Sequence, residues 1–280
     1  MSENKNTEPV DKSTMPFLVH VGVLRKHILR SLLAVCIGAA FIGYNIHFVM
    51  DKIIFGPVRN DFISFRMMNA VSRFFGSNKD FIHMPDQFPI QVRRIFEQLN
   101  TSFYVAFVGG FIIAFPYVIW EMWKFFAPAL KSNEKKNSIS FFLVTYFLFI
   151  FGCCFGYFFV TPLTMQFGYF FNISEIIKVN IDLSSYIGIL LQTVLGMGFV
   201  FLIPVIVYIL TSIGLLTPKF LKKYRRHALI AVLVIAGFIT PGDIPSMLVA
   251  SAPLYLLYEA SILVSAVVYK REQTTAPAKK

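Results

Sequence analysis

Six long apolar runs, each nearly free of charge and bounded by charged or turn-forming residues, constrain this chain more than any other feature. They lie at about residues 31–50, 101–123, 138–161, 184–213, 227–240 and 246–269. Crossing about 30 Å of hydrocarbon takes roughly 20 apolar residues in a helix, and helices or closed barrels alone satisfy every backbone group in lipid. The runs therefore predict an all-α membrane protein with six transmembrane helices. The even count puts both termini on one side. Composition agrees, since 56% of the 280 residues are hydrophobic, more than one soluble core of this size hides.

Charge fixes the side. Alternate segments carry Lys5, Lys12, Arg25, Lys26 and Arg30, then Lys124, Lys131, Lys135 and Lys136, then Lys219, Lys222, Lys223, Arg225 and Arg226, then Lys270, Arg271, Lys279 and Lys280. Seven of the other eight basic residues sit in one long loop, 51–100, which the positive-inside rule weights less. Both termini are thus expected in the cytoplasm and the 51–100 loop outside, with one or two short helices on the outer surface. Residues 1–15 read as a flexible tail, 16–270 as the membrane domain and 271–280 as a second tail. Leu18, Val21, Leu24 and Ile28 recur at helical spacing, so 16–30 reads as an amphipathic entry to the first span. With polar residues opening the chain, a retained first span is expected rather than a cleaved leader. The net charge of +11 follows from cytoplasmic loops and does not imply nucleic acid, which needs a basic soluble face with exposed aromatics.

The fifth run is too short. Fourteen residues between Arg226 and Pro241 make roughly 21 Å of helix, and Glu259 shortens the uncharged part of the sixth. Short fifth and sixth helices thin the membrane locally. Pro116, Pro204 and Pro253 fall within runs, where each removes a backbone hydrogen bond, so a bent, concave bundle is expected. The halves show no repeat, which weighs against a solute carrier.

Few residues are candidates for chemistry. Glu134, between lysines in the first cytoplasmic loop, is either a solvated acid or a carboxylate placed to take a guanidinium in two parallel hydrogen bonds. Glu121 lies three residues before Lys124, spacing that pairs them. Glu259 must face protein or water, or pair with another helix, because an ionised group in lipid costs about 2.5–3.5 kcal/mol. Asp243, after Pro241 and Gly242, is placed to cap the sixth helix. Cys36, Cys153 and Cys154 read as packing residues, and the five histidines lack metal-ligand spacing. With no nucleophile elbow or phosphate loop either, no enzyme and no cofactor are expected.

In order and spacing, a series of these residues resembles the TatC family from about His20 to Tyr269. His20, Leu24 and Arg25 resemble its HLxELR entry, and Trp123, Phe125, Pro128, Leu130 and Glu134 its WxFxxPxLxxxE loop. Phe151 to Pro162 resemble its aromatic third-span run, Phe201 and Pro204 most of an FExP element, and Thr240 to Asp243 a TPxD turn; Pro253 and Glu259 complete the series. The resemblance implies the receptor subunit of the twin-arginine translocase in the bacterial cytoplasmic (inner) membrane. Such a receptor binds twin-arginine signal peptides and recruits single-span subunits of the TatA and TatB type. With other copies of itself, and driven by the proton-motive force, it exports folded proteins. It implies signal-peptide contact at Glu134, His20, Leu24, Arg25, Glu121, Phe125 and Pro128, and partner or structural roles at Glu259, Asp243, Pro241 and Pro204. Three positions depart from the family: Val23 and Leu202 stand where it has acids, and Met247 where it has a glutamine.

Overall fold

The computed structural model describes residues 17–59, 61–74, 88–126, 138–174, 179–240 and 243–275. In chain order its elements are α1 (Phe17–Tyr44), α2 (Ile46–Phe48), α3 (Ile63–Phe74), β1 (Ile90–Gln91), α4 (Glu97–Phe126), α5 (Ser138–Phe155), α6 (Thr161–Phe170), β2 (Ile181–Asp182), α7 (Leu183–Val200), α8 (Ile203–Ser212), α9 (Pro218–Lys223), α10 (Arg225–Ile239) and α11 (Ile244–Thr275). Among the described residues, five segments are long and apolar enough to cross a membrane: Gly22–Tyr44, Glu97–Phe125, Phe141–Phe170, Leu183–Ser212 and Ile244–Lys270. The fifth predicted run is α10, whose 15 residues make roughly 22 Å.

Several boundaries differ from the apolar runs, each for a physical reason. The amphipathic entry is not a separate piece, because α1 runs unbroken from Phe17. The third span continues past 161 to Phe170 through a π-helical turn at Gly156–Val160. Pro162 lacks an N–H and crowds the preceding turn, and the wide turn relieves both. Thr161 Oγ1 donates to the Gly156 carbonyl at 2.9 Å across that turn. Pro204 acts similarly: the fourth span breaks at Phe201 and Leu202, and Pro204 opens α8 in its first turn, where no N–H is needed. Pro116 and Pro253 lie inside continuous helices. The sixth helix is not short, since α11 runs 32 residues; Glu259 limits its uncharged part without ending it.

The helices cross at glycines. Lipid tails are as apolar as leucine, so helices associate through close packing rather than through escape from water. A Cβ on Gly38 would lie 2.6 Å from the Gly110 carbonyl oxygen, which brings α1 and α4 into backbone contact. Gly152 and Gly156, one turn apart, do the same for the third and fourth spans: their Cβ atoms would meet the carbonyls of Met197 and Thr193 at 2.6 and 2.9 Å. Where these crossings converge, Phe115 and Phe149 stack at 3.5 Å between ring centres, with Phe111 and Phe199 edge-on or tilted against Phe149 and Phe111. Leu33, Ile37 and Phe41 of α1 remain exposed, as a lipid-facing stripe requires.

One end of the bundle, here the terminal end, holds the start of α1 and the close of α11. The other, the cap end, carries residues 45–59, 61–74 and 88–95. There β1 pairs in parallel with β2, Ile90 opposite Ile181. The hydroxyls of Tyr157 and Tyr186 donate to the carbonyls of Ile53 and Ile54 at 2.6 and 2.5 Å, tying the cap to the third and fourth spans. Glu97, buried at the start of α4, accepts from the backbone amides of Arg93, Arg94 and Ser184 at 2.8, 3.1 and 2.8 Å. One carboxylate thereby ties the turn before α4 to an exposed amide in the first turn of α7. Beside it Arg93 pairs with Asp182 at 2.7 Å.

The short helix stops well below the cap. A Cβ on Gly196 would lie 2.9 Å from Ile239 at the end of α10, and Gln192 Nε2 donates to the Phe238 carbonyl at 2.8 Å. Measured along α7 from Leu183, those residues sit roughly 14 to 20 Å down. The turn into α11 is therefore sunken relative to its neighbours.

Replacing Gly110 by Leu should overpack the first crossing and cost about 1–3 kcal/mol. The expected outcome is a lower melting temperature, or loss of the monodisperse species, in detergent. Gly168→Leu, at a position with open space around its Cβ, should leave both unchanged.

Candidate functional site

At the terminal end the α1–α4 crossing sets an unusual acid in place. Glu121 lies eleven residues along α4 from Gly110, and His27 eleven residues back along α1 from Gly38. Eleven residues make about three turns, so both side chains stay on the faces that meet at the glycines. His27 Nδ1 and Glu121 Oε2 are 2.5 Å apart, and Lys124 Nζ donates to Glu121 Oε1 at 3.1 Å. Glu121 is 1% exposed, and the pairing with Lys124 expected from spacing is one of three, since Tyr117, one turn before it, also hydrogen-bonds the carboxylate. A buried carboxylate needs such partners, because breaking a buried pair leaves an uncompensated charge.

Aromatic side chains enclose the group. Phe125 meets the His27 ring edge-on at 6.4 Å, Trp123 is buried against Phe141, and Lys124 Nζ lies 5.5 Å from the Trp120 ring centre. Val23, one turn before His27, shares its face of α1, with Leu24 beside it; Arg25 is exposed. His20 is in α1, but its side chain, like Pro128, Glu134 and Pro241, lies outside the described residues. The structure thus brings together Glu121, Phe125 and the Val23 region of α1.

A second polar group lies where α10 begins. Arg225 Nη2 donates to Glu259 Oε2 at 2.8 Å, Tyr255 OH donates to Oε1 at 3.3 Å, and Tyr258 OH reaches the Leu221 carbonyl at 2.8 Å. Glu259 therefore pairs with a neighbouring helix near the terminal end. Asp243, at the sunken turn, accepts from the Ser246 amide at 2.8 Å and so caps α11, and Pro204 is buried at the start of α8. His27, Glu97 and Gln192 escaped the sequence reading. Only Glu97 left a signal, as an acid heading an apolar run.

The fold, with its long apolar helices and its ion pairs gathered toward the two ends, defines a multi-pass membrane protein. Residues 19–253 match the family model described as Sec-independent protein translocase protein (TatC). A TatC of Blattabacterium from Periplaneta americana is 41% identical over 263 residues, covering 94% of this chain and 99% of that protein. A TatC of Carboxydothermus hydrogenoformans is 30% identical, covering 94% and 98%. Two crystal structures of a twin arginine translocase receptor, TatC, superpose with TM-scores of 0.69 and 0.70 at 27% identity, covering 89% and 88% of this chain and 99% of each of theirs. The chain belongs to the TatC family, a component of the Sec-independent protein translocase and not a catalytic family.

Arg225 and Glu259 are partly exposed, with side-chain exposures of 47% and 32%, so their coupling should be modest, about 1 kcal/mol or less. A double-mutant cycle of Arg225→Ala and Glu259→Ala followed by thermal melting measures it. The double variant should be less destabilised than the sum of the single ones.

Proposed function

We propose that this protein is the receptor of a twin-arginine translocase, with its terminal end in the cytoplasm of a bacterial cell and the cap end outside the inner membrane. The observation that carries the reading is the buried carboxylate Glu121 at the terminal end, held by the α1 segment that bears the HLxELR-like residues. It supports a cation-recognising surface at that end. The surplus of Lys and Arg in the segments assigned to the cytoplasm supports the orientation.

The ligand is a signal peptide with paired arginines ahead of an apolar stretch. Glu134 is the principal carboxylate of this site: a guanidinium fork fits a carboxylate through two parallel bonds, which an ammonium does not reproduce. His20, Leu24, Arg25, Phe125 and Pro128, which match the same entry and loop motifs, are the other residues of the set that contacts the peptide. Single-span subunits of the TatA and TatB type, and other copies of this chain, complete the translocase. Because Leu202 is apolar, they dock without an acid at that position, beside the short α10 and the Glu259 group. Residues 1–15 and 271–280 are the cytoplasmic tails of a membrane domain spanning 16–270.

Site-specific crosslinking of a twin-arginine peptide in membrane vesicles tests the site. Glu134→Ala and Glu134→Gln should each lower it roughly tenfold, the scale of one lost charge-assisted pair. Val23→Glu should leave it intact or raise it. Unchanged crosslinking in both Glu134 variants, or reaction of a cysteine at 134 with an impermeant label from outside the cell, would remove the assignment.

A further inference from the structure

The receptor reading leaves Lys124 unexplained, and this inference rests on that reading. Glu121 is almost sealed, whereas Lys124, its partner at 3.1 Å, has a side chain 44% exposed. The lysine is thus the one member of the His27, Glu121 and Lys124 group that faces water broadly, His27 being 14% exposed. A single ammonium makes a point contact with a carboxylate, while a guanidinium offers a planar fork with several donors. The lysine also has a second resting place, because its ammonium already lies 5.5 Å from the exposed Trp120 ring.

We propose that Lys124 is a built-in placeholder for the incoming arginine: it occupies Glu121 until a guanidinium of the signal peptide displaces it onto Trp120. Glu121 then becomes the second carboxylate of the recognition site, offered by α4 across from Val23. The exchange is neutral in charge. One cation leaves the buried acid as another arrives, so at no stage does an unpaired carboxylate remain in a poorly hydrated place. His27 holds the other oxygen throughout and keeps the carboxylate aimed at the α1 face. The arrangement also sets a threshold, because a ligand must compete with a tethered ammonium, and a fork does so better than another ammonium.

Titration of the full-length protein in nanodiscs tests this, using a fluorescent peptide with paired arginines and its paired-lysine counterpart. Lys124→Met should tighten binding of the arginine peptide and of the lysine peptide alike, each roughly three- to tenfold, and leave the preference between them unchanged, because both must displace the same ammonium. Lys124→Arg, which keeps the cation and the fold, should weaken binding by a similar factor. Glu121→Gln should weaken binding and erase the difference between Lys124 and Lys124→Met, with melting curves confirming that each variant is folded. Binding by the unaltered protein that neither Lys124 variant changes, or that Lys124→Met weakens in a folded protein, would overturn the exchange alone. No binding by the unaltered protein would overturn the receptor reading and this inference together.

Discussion

Backbone-to-backbone contact at glycine is the interaction on which this bundle depends. Between helices in lipid no water is released, and what draws them together is the density of atomic contact. Gly38 against Gly110, and Gly152 with Gly156 against α7, let four of the spans approach more closely than side chains permit. The same crossing sets the polar group at the terminal end as well as the fold. Because His27 and Glu121 lie equal distances from it along antiparallel helices, the glycines place an imidazole opposite a carboxylate three turns away. A shift of one residue in that register would rotate the acid out of its enclosure.

Much of the architecture was legible because lipid imposes a coarse rule on sequence. Among the described residues, the apolar runs coincide with the five helices long and apolar enough to cross a membrane and with the shorter α10, and the 51–100 loop holds a short helix at α3. The ends of spans were less legible, since helices continue for reasons that hydropathy does not record. The third span passes 161 through a π turn, and α11 carries Glu259 because Arg225 meets it. Pairings between distant residues were not legible at all. Nothing near Glu97 announces that it will accept from Ser184, and nothing near His27 announces Glu121, 94 residues on. Spacing found the Glu121–Lys124 pair because it is local, but the burial that gives the pair its interest comes from α1. Pattern alone left Glu134 open between a solvated acid and a binding group; the motif order is what puts it forward, and it lies outside the described residues.

Charge is distributed by depth. The paired acids found among the described residues, Glu97 and Asp182 at the cap end and Glu121 and Glu259 toward the terminal end, each have named basic or amide partners. Between those levels Asp243 caps α11 at the sunken turn, and small polar side chains join the spans, such as Thr211 with Ser265 at 2.9 Å, buried between α8 and α11. Hydroxyl pairs and helix carbonyls join spans without holding an ion. Such a middle suits a scaffold that carries docking surfaces at its ends.

The sunken end of α10 has a consequence for whatever lies beside it. Any helix running alongside α10 shares a stretch of bilayer matched to a helix of 15 residues, three of them Arg225, Arg226 and His227, and not to the usual run of about twenty apolar ones. A neighbour with an ordinary apolar length must lean over or push its surplus into headgroups, whereas a stubby one lies flush. This flank of the molecule therefore selects companions by length before any side chain is compared.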